Sequence, residues 1–194
     1  MARAIHPIER ESYRILRSRI DLTHLPPLSR AVAERVIHAA ADLSFGASLV
    51  LDDDALRQGR AALLAGAPIY CDARMAAAGI TSRNPIVPLD DPRAASDGTT
   101  TRSAAAMRLA ADEAPAGAIW VVGNAPTALV ELIERPPASP ALIVGLPVGF
   151  VGAAEAKAAL AHSTLPHLTN VGERGGSAVA VAAVNALLYF EEDE

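Results

Sequence analysis

Short, uninterrupted apolar runs that alternate with amphipathic stretches constrain this chain more than any other feature. Ala118-Ile119-Trp120-Val121-Val122 and Ala141-Leu142-Ile143-Val144 are too short for helices, and each is followed at once by glycine and then by a helical pattern. A strand that is apolar on both faces must be covered on both faces. That calls for parallel strands joined by crossover helices. Pro68-Ile69-Tyr70-Cys71 and His167 to Val171 read as further strands of the same kind. Helices are predicted over residues 8–20, from Ser29 to Asp42 or Leu43, over 53–65, from Thr101 to Glu113, from Ala125 to Glu134, from Gly152 to Ala161 and from Ser177 to Phe190. A short helix capped by Asp72 runs through Met75 and stops at Gly79, and residues 84–100 form a long loop rich in Pro, Asp, Gly and Thr. The pattern predicts an α/β fold as one domain over residues 1–194, three-layer α/β/α with a central parallel sheet of about five strands. In such folds the site lies at the carboxyl ends of the strands.

Composition narrows the chemistry. At 51% hydrophobic and 4% aromatic, the core must be built from Ala, Val, Leu and Ile. The lone cysteine, Cys71, excludes an internal disulfide and a cysteine metal cluster, and next to Asp72 it reads as a small core residue. His162 and His167 have no acidic companions and read as surface histidines, so no metal site is predicted. Met75 and Met107 read as core filler. No secretory leader and no apolar run of about 18 residues is visible, which points to a cytoplasmic protein without a membrane span. The basic set is sixteen arginines and one lysine, Lys157, with no basic run, so nucleic acid is not an expected partner.

Three strand exits carry glycine and helix-starting signals: Gly123-Asn124-Ala125-Pro126, Gly145 to Gly152, and Gly172 to Ser177. Free amides at helix starts attract anions. None of the three matches a dinucleotide or phosphate-loop pattern, so no nucleotide cofactor is expected. His38 is the candidate for acid–base work. It follows Val36-Ile37, three residues after Arg35, so imidazole and guanidinium lie over one patch of a helix. Such a pair suits an anionic substrate that needs a proton. Asp42, four residues on, is a candidate partner for the ring. A lone histidine is more often structural than catalytic, so the reading rests on its company.

That company resembles the precorrin-8X methylmutase (precorrin isomerase) family of cobalamin biosynthesis. The resemblance runs in order through Glu34-Arg35-Val36-Ile37-His38, Gly66-Ala67-Pro68-Ile69 with Cys71-Asp72, Met75 with Ala78-Gly79-Ile80, and Thr101-Arg102-Ser103-Ala104-Ala105. It continues through Gly123 to Leu129, Pro147 to Glu155, and Gly175-Gly176-Ser177. Each segment is weak alone, and their ordered conjunction is specific. The resemblance implies a flavodoxin-like fold, no cofactor, and a homodimer with its site near the interface. It also implies migration of a methyl group from C-11 to C-12 of a tetrapyrrole, giving hydrogenobyrinic acid or its cobalt analogue. By the same resemblance His38 is the proton donor and acceptor, and Ser12, Arg35 and Arg102 contact substrate. Asn124, Gly175, Gly176 and Ser177 are added to the substrate contacts from the anion-friendly strand exits. The chain departs from the family pattern at Ala156, often serine, and at Val171-Gly172-Glu173-Arg174, commonly more basic. Two other readings stay open on the sequence: a corrinoid carrier without catalysis, and a binding domain for a phosphorylated small molecule.

Overall fold

The apolar runs predicted as strands form the middle of a five-stranded sheet. The structure is a computed structural model and describes residues 6–95 and 98–191. Among these, the elements in chain order are α1 (Pro7–Arg19), α2 (Pro27–Ala40), α3 (Phe45–Ser48), β1 (Leu49–Leu51), α4 (Asp53–Leu64), β2 (Ile69–Cys71) and α5 (Arg74–Gly79). They continue with α6 (Arg102–Glu113), β3 (Ile119–Val122), α7 (Pro126–Glu134), β4 (Leu142–Gly145), α8 (Ala153–Ala161), β5 (His167–Asn170) and α9 (Ser177–Tyr189). The predicted 84–100 loop contains a single 3-10 turn at Pro88–Asp90, and its residues 96 and 97 lie outside the described residues. No helix of the described residues is long and apolar enough to cross a membrane.

The alternation along the strands explains the layers. Ile119, Val121, Leu142 and Val144 point to one face, into a core shared with α2, α4, α5 and α9. Trp120, Val122 and Ile143 point to the other, into a smaller core with Met107, Leu129, Leu132 and Leu160 from α6, α7 and α8. Each such enclosed side chain contributes about 1.5–3 kcal/mol, and both sheet faces need a helical cover.

The sheet departs from the all-parallel expectation. β2, β3, β4 and β5 are parallel, but β1 joins the outer edge antiparallel to β5, with Leu49 opposite Asn170 and Leu51 opposite Leu168. The reason is the path of α4. It packs on β5, β4 and β3, the three strands that lie between β1 and β2, so it travels across the strands and not back along them. Its twelve residues span about 18 Å, close to the four strand spacings that separate β1 from β2. β1 therefore ends where β2 begins, at the same end of the sheet, and the two strands run in opposite senses. Gly59 permits the crossing, since a Cβ there would lie 2.6 Å from Leu142 Cδ2. The three α/β/α layers are as expected, while the strand order, β1-β5-β4-β3-β2, is sequential for the parallel strands and lacks the reversal of doubly wound sheets.

Candidate active site

His38 owes its position to a helix that starts earlier than its sequence implies. Pro27 occupies the first turn of α2, where its missing N–H costs nothing, and Ser29 does not cap. Ser29 is buried, and its hydroxyl donates to Asp53 Oδ1 at 2.7 Å, which ties α2 to the start of α4. Leu28, Val32, Val36 and Ile37 bury one face of the helix, leaving Ala31, Arg35 and His38 together on another. α2 stops at Ala40 because Ala41 turns left-handed, with φ 51°.

α1 closes on that face. Ser12 Oγ lies 2.9 Å from His38 Nδ1, and the Tyr13 ring stacks on the imidazole at 4.9 Å and 14°. One turn back along α2, the Arg35 guanidinium stands 5.6 Å from the centre of the Tyr189 ring. His38, Ser12 and Arg35, predicted 26 residues apart along the chain at the extremes, thus line one cleft of about 770 Å³. Ala178, Val181 and Ala182 of α9 form an apolar floor, and Ile8 and Met75 stand on its rim. Met75 is 70% exposed, so the core-filler expectation is corrected: the short α5 turns it outward. Tyr13 carries no signal of its own in the sequence, where it is one more apolar position in the predicted 8–20 helix. Burial pushes its phenol pKa up.

The remaining predicted site residues lie elsewhere. Arg102 is exposed at the start of α6 and donates to the Leu89 carbonyl at 2.9 Å. Asn124 is exposed, and Gly175, Gly176 and Ser177 belong to the turn into α9; none of the four lines the His38 cleft. Asp72 does not cap α5. Its buried carboxylate accepts from the amides of Gly123, Asn124 and Ala125 at 3.1, 2.8 and 2.7 Å. The anion site expected at that helix start is filled by the protein's own carboxylate, whose pKa burial pushes up against the pull of those amides. Asp42 does not meet His38 either; it accepts from Arg174, which also bonds Ser44. The turn into α9 is locked from two sides. Gly176 donates to the Leu146 carbonyl at 2.8 Å, and the fully enclosed Lys157 donates to Asn170 Oδ1 at 3.1 Å and the Arg174 carbonyl at 2.5 Å. Cys71 is buried as expected, its thiol pushed up to about 12 by burial and by Asp72. His162 and His167 each donate to a backbone carbonyl, at 2.7 and 2.8 Å.

Fold and cleft define an α/β protein with a histidine and an arginine beside a large, open, apolar-floored cavity. The CbiC precorrin-8X methylmutase family profile matches residues 7–190. A precorrin-8X methylmutase of Pseudomonas aeruginosa is 44% identical, covering 95% of each chain, and a cobalt-precorrin-8 methylmutase of Salmonella typhimurium is 42% identical, covering 94% of this chain and 93% of that one. The crystal structure of the Thermus thermophilus precorrin-8X methylmutase superposes with a TM-score of 0.84 at 38% identity, over 94% of this chain and 96% of that chain. The chain belongs to the precorrin-8X methylmutase family, whose members isomerise their tetrapyrrole substrate to hydrogenobyrinic acid.

Proposed function

We propose that this chain moves the methyl group of precorrin-8X, or of its cobalt form, from C-11 to C-12, with His38 lending a proton and taking it back. The observation that carries the reading is the grip on the imidazole: Ser12 at Nδ1, 2.9 Å away, and Tyr13 across one face. With Nδ1 engaged, Nε2 is the nitrogen left to exchange a proton. When the imidazolium gives up its Nε2 proton, the Nδ1–H donated to Ser12 Oγ is retained, so the ring need not reorient between steps. A [1,5] methyl shift breaks one carbon–carbon bond and makes another within a conjugated ring. It needs no external nucleophile or hydride, only transient protonation that draws electron density from the framework. Arg35 supplies a fixed cation for one of the acetate or propionate arms, and Ser12 adds a polar contact beside it.

The cleft is open to solvent, and Arg102 and Asn124, both exposed, stand outside it. This supports a homodimer in which the site lies near the interface and a second copy supplies further contacts, and the biosynthetic role of the family supports a cytoplasmic location. Gly175, packed against the Leu146 and Pro147 carbonyls, and Gly176, bonded to the Leu146 carbonyl, serve the site by holding the turn that delivers Ala178 to the cleft floor, with Ser177 opening the helix beside it.

The test is turnover of precorrin-8X followed by the absorbance change to the hydrogenobyrinate chromophore. His38→Ala should abolish turnover while retaining product binding. Ser12→Ala should slow it by about 2–10-fold, the worth of one hydrogen bond. Equal turnover in wild type and His38→Ala removes the histidine from the mechanism, and product binding without turnover in wild type makes the protein a carrier.

A further inference from the structure

A second cleft, of about 710 Å³, lies beside the first, and Arg35 and Glu9 line both. Its character is different. Tyr13, Tyr189 and Phe190 wall it, and its lining holds five arginines against three glutamates, Glu9, Glu34 and Glu191. Two of these are committed within the protein. Arg17 binds the buried Glu34 carboxylate with two hydrogen bonds, at 2.8 and 2.7 Å, and Arg57 binds Asp53 at 2.7 Å. Among the described residues no hydrogen bond or ion pair engages the guanidinium of Arg10 or Arg30, and Arg35 has only the Tyr189 ring. Three cations that lack carboxylate partners therefore converge on one aromatic-walled cavity. Each presents a planar fork suited to both oxygens of a carboxylate.

Geometry joins this cavity to the acid–base site. Arg30 and His38 lie on the same helix, eight residues apart, which sets them about 12 Å apart along its axis. Arg35 lies between them in height along that axis, on the opposite flank of the helix face from Arg30. A ligand held with its reacting edge at His38 has Arg35 within one helical turn and Arg30 within the breadth of a tetrapyrrole with its arms.

We propose that the second cleft is a carboxylate subsite in which Arg30 and Arg10 hold one or two side arms of the same tetrapyrrole whose ring is worked on at His38. The proposal rests on the functional reading above. It assigns the two arginines to substrate orientation, and Arg35 to the boundary between arm and ring.

The experiment titrates hydrogenobyrinic acid into the full-length protein by absorbance, for wild type, Arg30→Gln and Arg10→Gln. Arg93→Gln serves as a control of equal charge change, since Arg93 is paired on the surface with Asp91 and Glu113. Each cleft variant should weaken binding about tenfold, the lower end for a charge-assisted hydrogen bond, and the loss should appear in KM and not in kcat. A second ligand, with every arm converted to the primary amide, should bind wild type and variants alike. Binding of the acid by both cleft variants within twofold of wild type overturns the proposal. So does equal weakening toward acid and amide, which marks a general structural loss. A response to inorganic phosphate or acetate equal to that for the acid overturns it too, in favour of a separate small-anion site. Wild type that fails to bind the acid overturns the functional reading as well, whereas wild type that binds beside unaffected variants overturns this proposal alone.

Discussion

Replacing Lys157 by methionine should remove a rise of stability with pH that the fold builds into this single lysine. Its side chain is fully enclosed, and burial holds its pKa down to about 8, against an ordinary 10.5, with Glu173 pulling the other way. A lysine with a depressed folded value binds its proton less tightly in the native state than in the unfolded one. Below pH 8 both states are protonated, and the cost of enclosing the charge is present in full. Between about 8 and 10.5 the native state sheds the proton while the unfolded chain keeps it, so stability climbs. From pH 7 to pH 10 the gain is about 2.5 kcal/mol, at about 1.36 kcal/mol per pKa unit. That is a large share of the roughly 5–15 kcal/mol that holds a domain together. The measurement is urea unfolding of wild type and Lys157→Met at both pH values, taken as a difference so that other titrating groups cancel. Methionine leaves Asn170 Oδ1 without its lysine donor, at a cost of about 1–3 kcal/mol, but the Arg174 carbonyl keeps its bond from Asn170 Nδ2 at 2.9 Å. Wild type should gain on the variant by about 2.5 kcal/mol as pH rises. A difference that stays flat from pH 7 to 10 refutes the reasoning, because the ammonium would then keep its ordinary affinity for the proton.

Two further outcomes follow from packing. Gly175→Ala places a Cβ 2.3 Å from the Leu146 carbonyl oxygen and 2.6 Å from that of Pro147, both backbone, and should cost about 1–3 kcal/mol, seen as a lowered melting temperature. Gly66→Ala meets nothing within 4 Å and should cost only its backbone strain at φ +86°, about 1 kcal/mol, so equal melting losses in the two variants would show that the turn is loose. Cys71, with its thiol held near 12, should resist iodoacetamide in the native protein at pH 8 and react at once in denaturant; rapid native labelling would show that β2 opens locally.

Interactions between near neighbours in the chain were legible, and those between distant segments were not. The runs at Ala118–Val122 and Ala141–Val144 specify strands because their burial is uninterrupted over a length no helix uses. The adjacency of Arg35 and His38 follows from the helical repeat alone. Family membership was also legible, since it rests on ordered residues and not on contacts. The partners of those residues were a different matter. Asp72 reads locally as the cap of the helix beside it, yet its three amide donors come from 51 to 53 residues away, brought there by the pairing of β2 with β3. Asp42 reads as a partner for His38 and is taken by Arg174, 132 residues on.

By itself, then, the sequence determined the class of fold, the helix that carries His38 and the chemistry its family performs, because helical and strand periodicities and capping signals act within a few residues. Tertiary structure alone decided that β1 runs against the sheet, that Ser12 and Tyr13 grip the imidazole, and that Met75 faces out. It also decided that arginines from α1 and α2 gather in a second cleft. Those outcomes depend on where one helix crosses another or the sheet, and a crossing is set by side chains far apart in the chain that close-pack at a common contact.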